Sequence, residues 1–224
     1  MKEDKMLNLL ENYIPCSLPV NGEFATRDGL RMKVDERGSF RPFFGNTVVF
    51  LMDEKVRKEL AVLQNELYEK AGDVLAARLN EDTFHMTLHD LINGPQKDEK
   101  LLRQMAVAER EAKALVHFWR DRGPLYMRAT WLFNMVNTSI VLGLAPCDTQ
   151  STQRLSDMYG ALENVVPLGY ALTPHITMAY FRPGVYSQQQ LEGLHAALHP
   201  VQLEVELSMD RLVYQTFENM NDYR

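Results

Sequence analysis

Cysteine is nearly absent: Cys16 and Cys147 are the two in 224 residues, far apart and without motif spacing. That excludes a disulfide framework and a cysteine-based metal site, and it predicts reduced thiols. Basic charge is also scarce. The 24 Lys and Arg stand against 30 Asp and Glu, a formal net charge of -6, which argues against a broad electrostatic footprint on duplex DNA. A pocket for a small nucleotide or an RNA end needs only a few local donors and stays open. No apolar run reaches the length of a membrane span. Residues 1–11 mix acidic side chains with short apolar steps, so neither a signal peptide nor an anchor is read there. The expectation is a cytoplasmic protein without a membrane partner.

What is present is an ordinary globular mixture, 46% hydrophobic and long enough for a sizeable core. Residues 3–13 suit a short amphipathic helix, and 14–45 are punctuated by Pro and Gly, with a small hairpin expected over 30–40. From residue 46 the chain becomes regular. Strand 46–52 is followed by a helix capped by Asp53 and apolar at Val56, Leu60, Leu63, Leu67, Ala71 and Leu75. A strand over 83–91 and a helix near 97–121 come next. Strands over 126–136 and 137–144, a helix over 149–165, and a strand over 174–181 repeat the plan. A helix over 188–198 and strands over 202–208 and 211–217 close it. The division expected is an extension, 1–45, before one bilobal domain, 46–224.

Two strings stand out: His85-Met86-Thr87-Leu88 and His175-Ile176-Thr177-Met178. Both lie in β-prone runs. On a strand the His and Thr of each string share one face, while Met/Leu and Ile/Met turn to the other, toward a core. From Asn46 to His85 is 39 residues, and from Asn137 to His175 is 38. Each half therefore reads strand, helix, strand, with His-x-Thr on the second strand, and such a repeat outweighs either string alone. The fold class expected is α+β: two pseudo-symmetric lobes, each a mainly antiparallel sheet with helices outside, around a central cleft. Two imidazoles and two hydroxyls around one volume suit a general acid, a general base and donors to a phosphate.

The chain here resembles the 2H phosphoesterase superfamily, which includes bacterial RNA 2′,3′-cyclic phosphodiesterases, also called 2′-5′ RNA ligases. The resemblance rests on both intact strings, on Pro174 before the second and on Tyr180 after it, and it spans about 46–217. Residues 21–29 and 43–47 look like an uncharacterised bacterial branch; Met178 stands where the family more often has Leu. The resemblance implies a cyclic phosphodiesterase acting on a 2′,3′-cyclic phosphate or 2′-linked phosphodiester of a nucleotide or RNA end. His85 and His175 are its catalytic acid and base, and Thr87 and Thr177 its phosphate donors, with no metal and no cofactor. Product chemistry in the family implies His175 as base and His85 as acid; the residues themselves leave the order open.

Further candidates carry a plainer reading beside the functional one. Arg182 could meet a second phosphate or be a surface arginine. Phe181 falls in phase with His175 and Thr177 and could stack on a base, or pack in the core, whereas Tyr180 falls out of phase and beneath the site. Asn46 and Asn137 open strands and could orient histidines or satisfy strand ends. His89 shares the His85 face by alternation, at the rim or in a structural role. A metallohydrolase on His85, His89, Asp90 and His175 needs the first string on a helix, which Thr83, Phe84 and Thr87 disfavour. A non-catalytic nucleotide binder is the other alternative.

Overall fold

The computed structural model describes residues 18–19 and 22–224. The helix expected over 3–13 and Cys16 lie outside the described residues. Among the described residues there are ten strands and four α-helices; the strands are β1 (Phe24–Ala25), β2 (Phe44–Leu51), β3 (His85–Gly94), β4 (Leu125–Met135), β5 (Ser139–Pro146), β6 (His175–Tyr180), β7 (Val185–Tyr186), β8 (Glu204–Leu207), β9 (Leu212–Asn219) and β10 (Asp222–Tyr223). The helices are α1 (Glu54–Ala71), α2 (Glu99–Trp119), α3 (Thr149–Glu163) and α4 (Gln188–Ala197).

Eight strands form one antiparallel sheet, ordered β10-β9-β2-β3-β6-β5-β4-β8. It divides at its centre into two four-stranded halves of matching plan, with β3 answered by β6 and β2 by β5. The registered contact between the halves is a single pair, Met86 opposite Ile176. Both side chains are fully buried, as are Leu88 and Met178. The apolar members of the two strings thus build the core, and the alternation that buries them turns His and Thr to the opposite face.

The helices start where short polar side chains satisfy free N–H groups. Asp53, Asp98 and Asp148 accept from the backbone N–H of Val56, Leu101 and Ser151 at 2.8, 2.8 and 2.6 Å, and Ser187 and Gln190 form a capping box. Each cap is worth about 1 kcal/mol. The apolar period past Asp53 runs to Leu75, but α1 ends at Ala71. Gly72 opens a 3-10 turn, and Leu75 leaves it to bridge Phe181.

Residues 24–43 join the same body. Phe24, Leu30 and Val34 are buried in the main core, and β1 pairs with β7. The hairpin expected over 30–40 is reduced to one bridge, Val34 with Phe40, because Asp28–Met32 winds into a 3-10 turn. The bend between them is built by Asp35, whose carboxylate accepts from Arg37 and Ser39 N–H, and by Gly38 at φ 86°. Asn137 does not open a strand. The β4–β5 turn is Val136, Asn137 and Thr138; Val136 and Asn137 have φ of 46° and 61°, the left-handed pair of a type I′ turn, which Thr138 N–H closes on the Met135 carbonyl at 3.0 Å. That conformation suits Asn and strains the β-branched Val. The turn is held by Asn137 N–H on Asn134 Oδ1 (3.0 Å), Asn137 Nδ2 on the Ala25 carbonyl (3.0 Å) and Arg27 N–H on the Asn137 carbonyl (3.1 Å).

Helix α4 lies against the end of α1, and Gly193 makes the closest approach. A Cβ there would stand 1.7 Å from the Lys70 carbonyl oxygen, well inside contact distance, and neither helix backbone can give. Gly193→Ala is expected to lower unfolding free energy by about 1–3 kcal/mol or more. Denaturant unfolding with an unchanged m-value checks this, and a variant as stable as the parent contradicts the packing described.

Candidate active site

The His-x-Thr face of β3 and β6 opens into a cavity of about 550 Å³, and His85, Thr87, His175 and Thr177 all line it. The two histidines are held identically. Nδ1 of His85 lies 2.7 Å from the Thr83 carbonyl, and Nδ1 of His175 lies 2.6 Å from the Thr173 carbonyl, two residues back in each case. A carbonyl only accepts, so Nδ1 carries the proton and donates. Nε2 of each ring is thereby left as the working nitrogen: a lone pair when the ring is neutral, a donor when it is charged. Burial depresses both imidazoles. His85 is pulled down to about 4, against the bond to Thr83 and the Asp90 charge, which raise it; His175 beside it lowers it further. His175 is likewise lowered by burial, opposed by the Thr173 bond and by Asp90. Both rings are therefore neutral in the free site near pH 7.

Each motif strand carries a bulge at the last residue of its string. Val49 pairs with Thr87 but Val48 with His89; Val141 pairs with Thr177 but Ile140 with Ala179. One extra residue, Leu88 or Met178, breaks the alternation and reverses the phase of the residues beyond it. Asp90 and Tyr180 consequently line the cavity, while His89 and Phe181 turn to the buried side.

Phe181, Arg182 and Asn46 take the plainer of the two readings open to each, not the substrate-binding one, and Tyr180 departs from its expected place. Phe181 is 0% exposed, its ring 5.0 Å from that of Phe24, and it packs in the core. Tyr180, expected beneath the site, lines it, with its hydroxyl donating to Met220 Sδ at 3.2 Å. Arg182 stands outside the cavity with its guanidinium on the Asp73 carbonyl, joining the end of β6 to the turn after α1. Asn46 is fully buried away from the cavity. Its Oδ1 accepts from Ile92 N–H at 2.9 Å, and its Nδ2 donates to the Met105 carbonyl (3.1 Å) and Tyr214 hydroxyl (3.0 Å). It thus repairs a second irregularity in β3 and ties α2 to the sheet.

His89 borders the cavity yet is engaged structurally. Its Nε2 lies 3.1 Å from Glu163 Oε1, and the same carboxylate accepts from Leu168 N–H at 2.9 Å. The first motif strand is thereby linked to the loop that leads into the second. Among the described residues no group of three or more His, Cys, Asp or Glu could hold a metal ion.

Several lining residues escape a reading of the sequence alone. Arg27 and Lys33 come from the segment before the repeats, and Lys33 Nζ sits 5.0 Å from the Phe43 ring centroid and 6.0 Å from that of Tyr180. Tyr223, on the short β10, brings its ring within 4.9 Å of His85. Tyr159 and Tyr170 complete the aromatic wall, joined by Tyr159 hydroxyl donating to the Tyr170 carbonyl at 2.6 Å. No local period marks these positions; they come from the segment before the repeats, from α3 and the loop after it, and from β10, and only the tertiary fold brings them to the cavity.

No protein-family model matches the chain, and no curated protein sequence matches it. In fold it is similar to the conserved protein of unknown function ATU0111 from Agrobacterium tumefaciens str. C58, at a TM-score of 0.60 and 14% identity, over 86% of this chain and 88% of that one. TT0787 of Thermus thermophilus matches at 0.49 and 15%, over 78% and 95%. E. coli LigT, solved with 3′-AMP, matches at 0.48 and 11%, over 78% and 87%. Among the described residues no helix is long and apolar enough to cross a membrane.

The depressed His85 predicts a pH dependence of stability. An unfolded histidine binds its proton near pH 6.5, whereas folded His85 holds out to about 4. Between these values the unfolded state binds more protons, so stability falls as pH drops from about 6.5 toward 4. His85→Gln removes that contribution. Denaturant midpoints at pH 7.5 and 5 should converge in the variant relative to the parent, and an unchanged difference would refute the buried neutral ring.

Proposed function

We propose that the chain is a metal-independent phosphoesterase that hydrolyses a 2′,3′-cyclic phosphate or 2′-linked phosphodiester of a nucleotide or RNA end. The observation that carries this reading is the duplicated geometry: two imidazoles, each anchored at Nδ1 by the carbonyl two residues back, with a threonine two residues on, around one cavity. In-line displacement at phosphorus needs a base on the entering side and an acid on the leaving side. A pair of histidines from two opposed half-sheets meets that need.

In this mechanism one neutral imidazole takes a proton at Nε2 as water attacks phosphorus. The other, charged on arrival of the anionic phosphate, gives its Nε2 proton to the departing ribose oxygen. One P–O bond forms and one breaks; the proton gained by the first ring and lost by the second is re-equilibrated with solvent. Thr87 and Thr177 hydroxyls donate to the non-bridging oxygens, whose charge rises at the transition state. The tyrosine wall offers faces for a base or sugar.

The test is a panel of nucleoside 2′,3′-cyclic phosphates and 2′-5′ dinucleotides, with the position of the product phosphate read by NMR. His85→Ala and His175→Ala should each lower kcat by about 10²–10⁴-fold, and parent activity should persist in EDTA. Full turnover in either single variant would sink the two-histidine mechanism. Thr87→Ala and Thr177→Ala should lose less than either histidine variant, chiefly in kcat; equal losses would mean the hydroxyls act in folding.

A further inference from the structure

The His and Thr groups of the two half-sheets match residue for residue, but the next cavity-facing position beyond each bulge does not: it is Asp90 on β3 and Tyr180 on β6. Among the described residues the Asp, Glu, Lys and Arg side chains lining the cavity are Arg27, Lys33 and Asp90. The nearby Glu163 carboxylate is already engaged with His89 and the N–H groups of Leu168 and Gly169. Burial holds Tyr159, Tyr170, Tyr180 and Tyr223 neutral by raising each above its ordinary value, and it keeps His85 and His175 uncharged in the free site. Asp90 is thus the one carboxylate among the described residues lining the cavity, beside the cations Arg27 and Lys33.

A carboxylate in a phosphate cavity is costly unless the charge it removes serves a purpose, since like charges at close range weaken binding of an anion. A phosphodiester presents one negative charge to that carboxylate. Hydrolysis gives a phosphomonoester that, once it has lost its remaining acidic proton to solvent, carries nearly two charges above about pH 6 and is repelled by that carboxylate about twice as strongly. We propose that Asp90 is a specificity-determining residue that sets the cavity to accept singly charged phosphodiesters and to reject doubly charged phosphomonoesters, the product included. This rests on the reading of the cavity as a phosphodiester site. The substrate class is then a cyclic or linear diester whose reacting end bears no additional ionised phosphate. The bulge after Thr87 is the device that brings the carboxylate in, for without it His89 would occupy that face.

The test measures binding, so it does not depend on turnover. By calorimetry at pH 8, the parent protein, Asp90→Asn and Asp90→Glu are each titrated with a nucleoside 2′-monophosphate, which carries two charges. They are also titrated with its methyl ester, which carries one. Asp90→Asn should tighten the monophosphate about tenfold relative to the methyl ester, and Asp90→Glu should keep the parent ratio. In turnover of a cyclic phosphate, Asp90→Asn should show stronger product inhibition. A ratio unchanged in Asp90→Asn, or equal weakening of both ligands, overturns the proposal and makes Asp90 a hydrogen-bond acceptor or a structural residue. Charge discrimination without turnover of any diester would overturn the proposed reaction while upholding the role of Asp90. Failure of all three proteins to bind either ligand overturns both.

Discussion

The arrangement hangs on the seam between β3 and β6, where two half-sheets meet through one registered pair, Met86 and Ile176. Each is fully buried, and burying such a side chain is worth about 1.5–3 kcal/mol. Because side chains alternate, driving these two into the core is the same act as presenting His85 and Thr87 beside His175 and Thr177. The site therefore needs no separate scaffold. It is the reverse side of the apolar contact that joins the halves. A seam of one pair lets the strands diverge on either side of it, and the divergence is what leaves room for a cavity.

Local hydrogen bonding then decides what the histidines can do. The carbonyls of Thr83 and Thr173 lie outside the regular strands, at the entry to each motif. Chain segments that end a turn and begin a strand thus supply the anchors that fix tautomer and ring direction. A pair of motifs placed mid-strand would have those carbonyls committed to the ladder. Their position at strand starts is a functional requirement met by strand length.

Much of this was legible in the residues. The strand-helix-strand repeat, the apolar faces, the Asp53 cap and the gathering of the four motif side chains follow from periodicity and from His-x-Thr spacing. Phe181, Tyr180 and His89 take faces that simple alternation does not give, and for one physical reason. A bulge inserts a residue without altering composition, and every later side chain changes face. Asn46 was recognisable as a polar residue in an apolar strand, but its three partners lie on β3, α2 and β9, and no single sequence reveals such distant company. Arg27 and Lys33 were hidden in an irregular segment whose docking depends on Phe24, Leu30 and Val34 finding the common core.

The strand order has a further consequence for how the chain assembles. The half-sheet β10-β9-β2-β3 draws on both ends of the described chain, residues 44–94 and 212–223, whereas β4, β5, β6 and β8 lie wholly between them. One lobe is nested inside the other along the chain. The outer lobe cannot complete its pairing of β2 with β9 until the inner one has brought the chain back, so its contacts span large sequence separations and close late. Nesting couples the two lobes: melting the inner one lengthens the loop that the pairing of β2 with β9 must close.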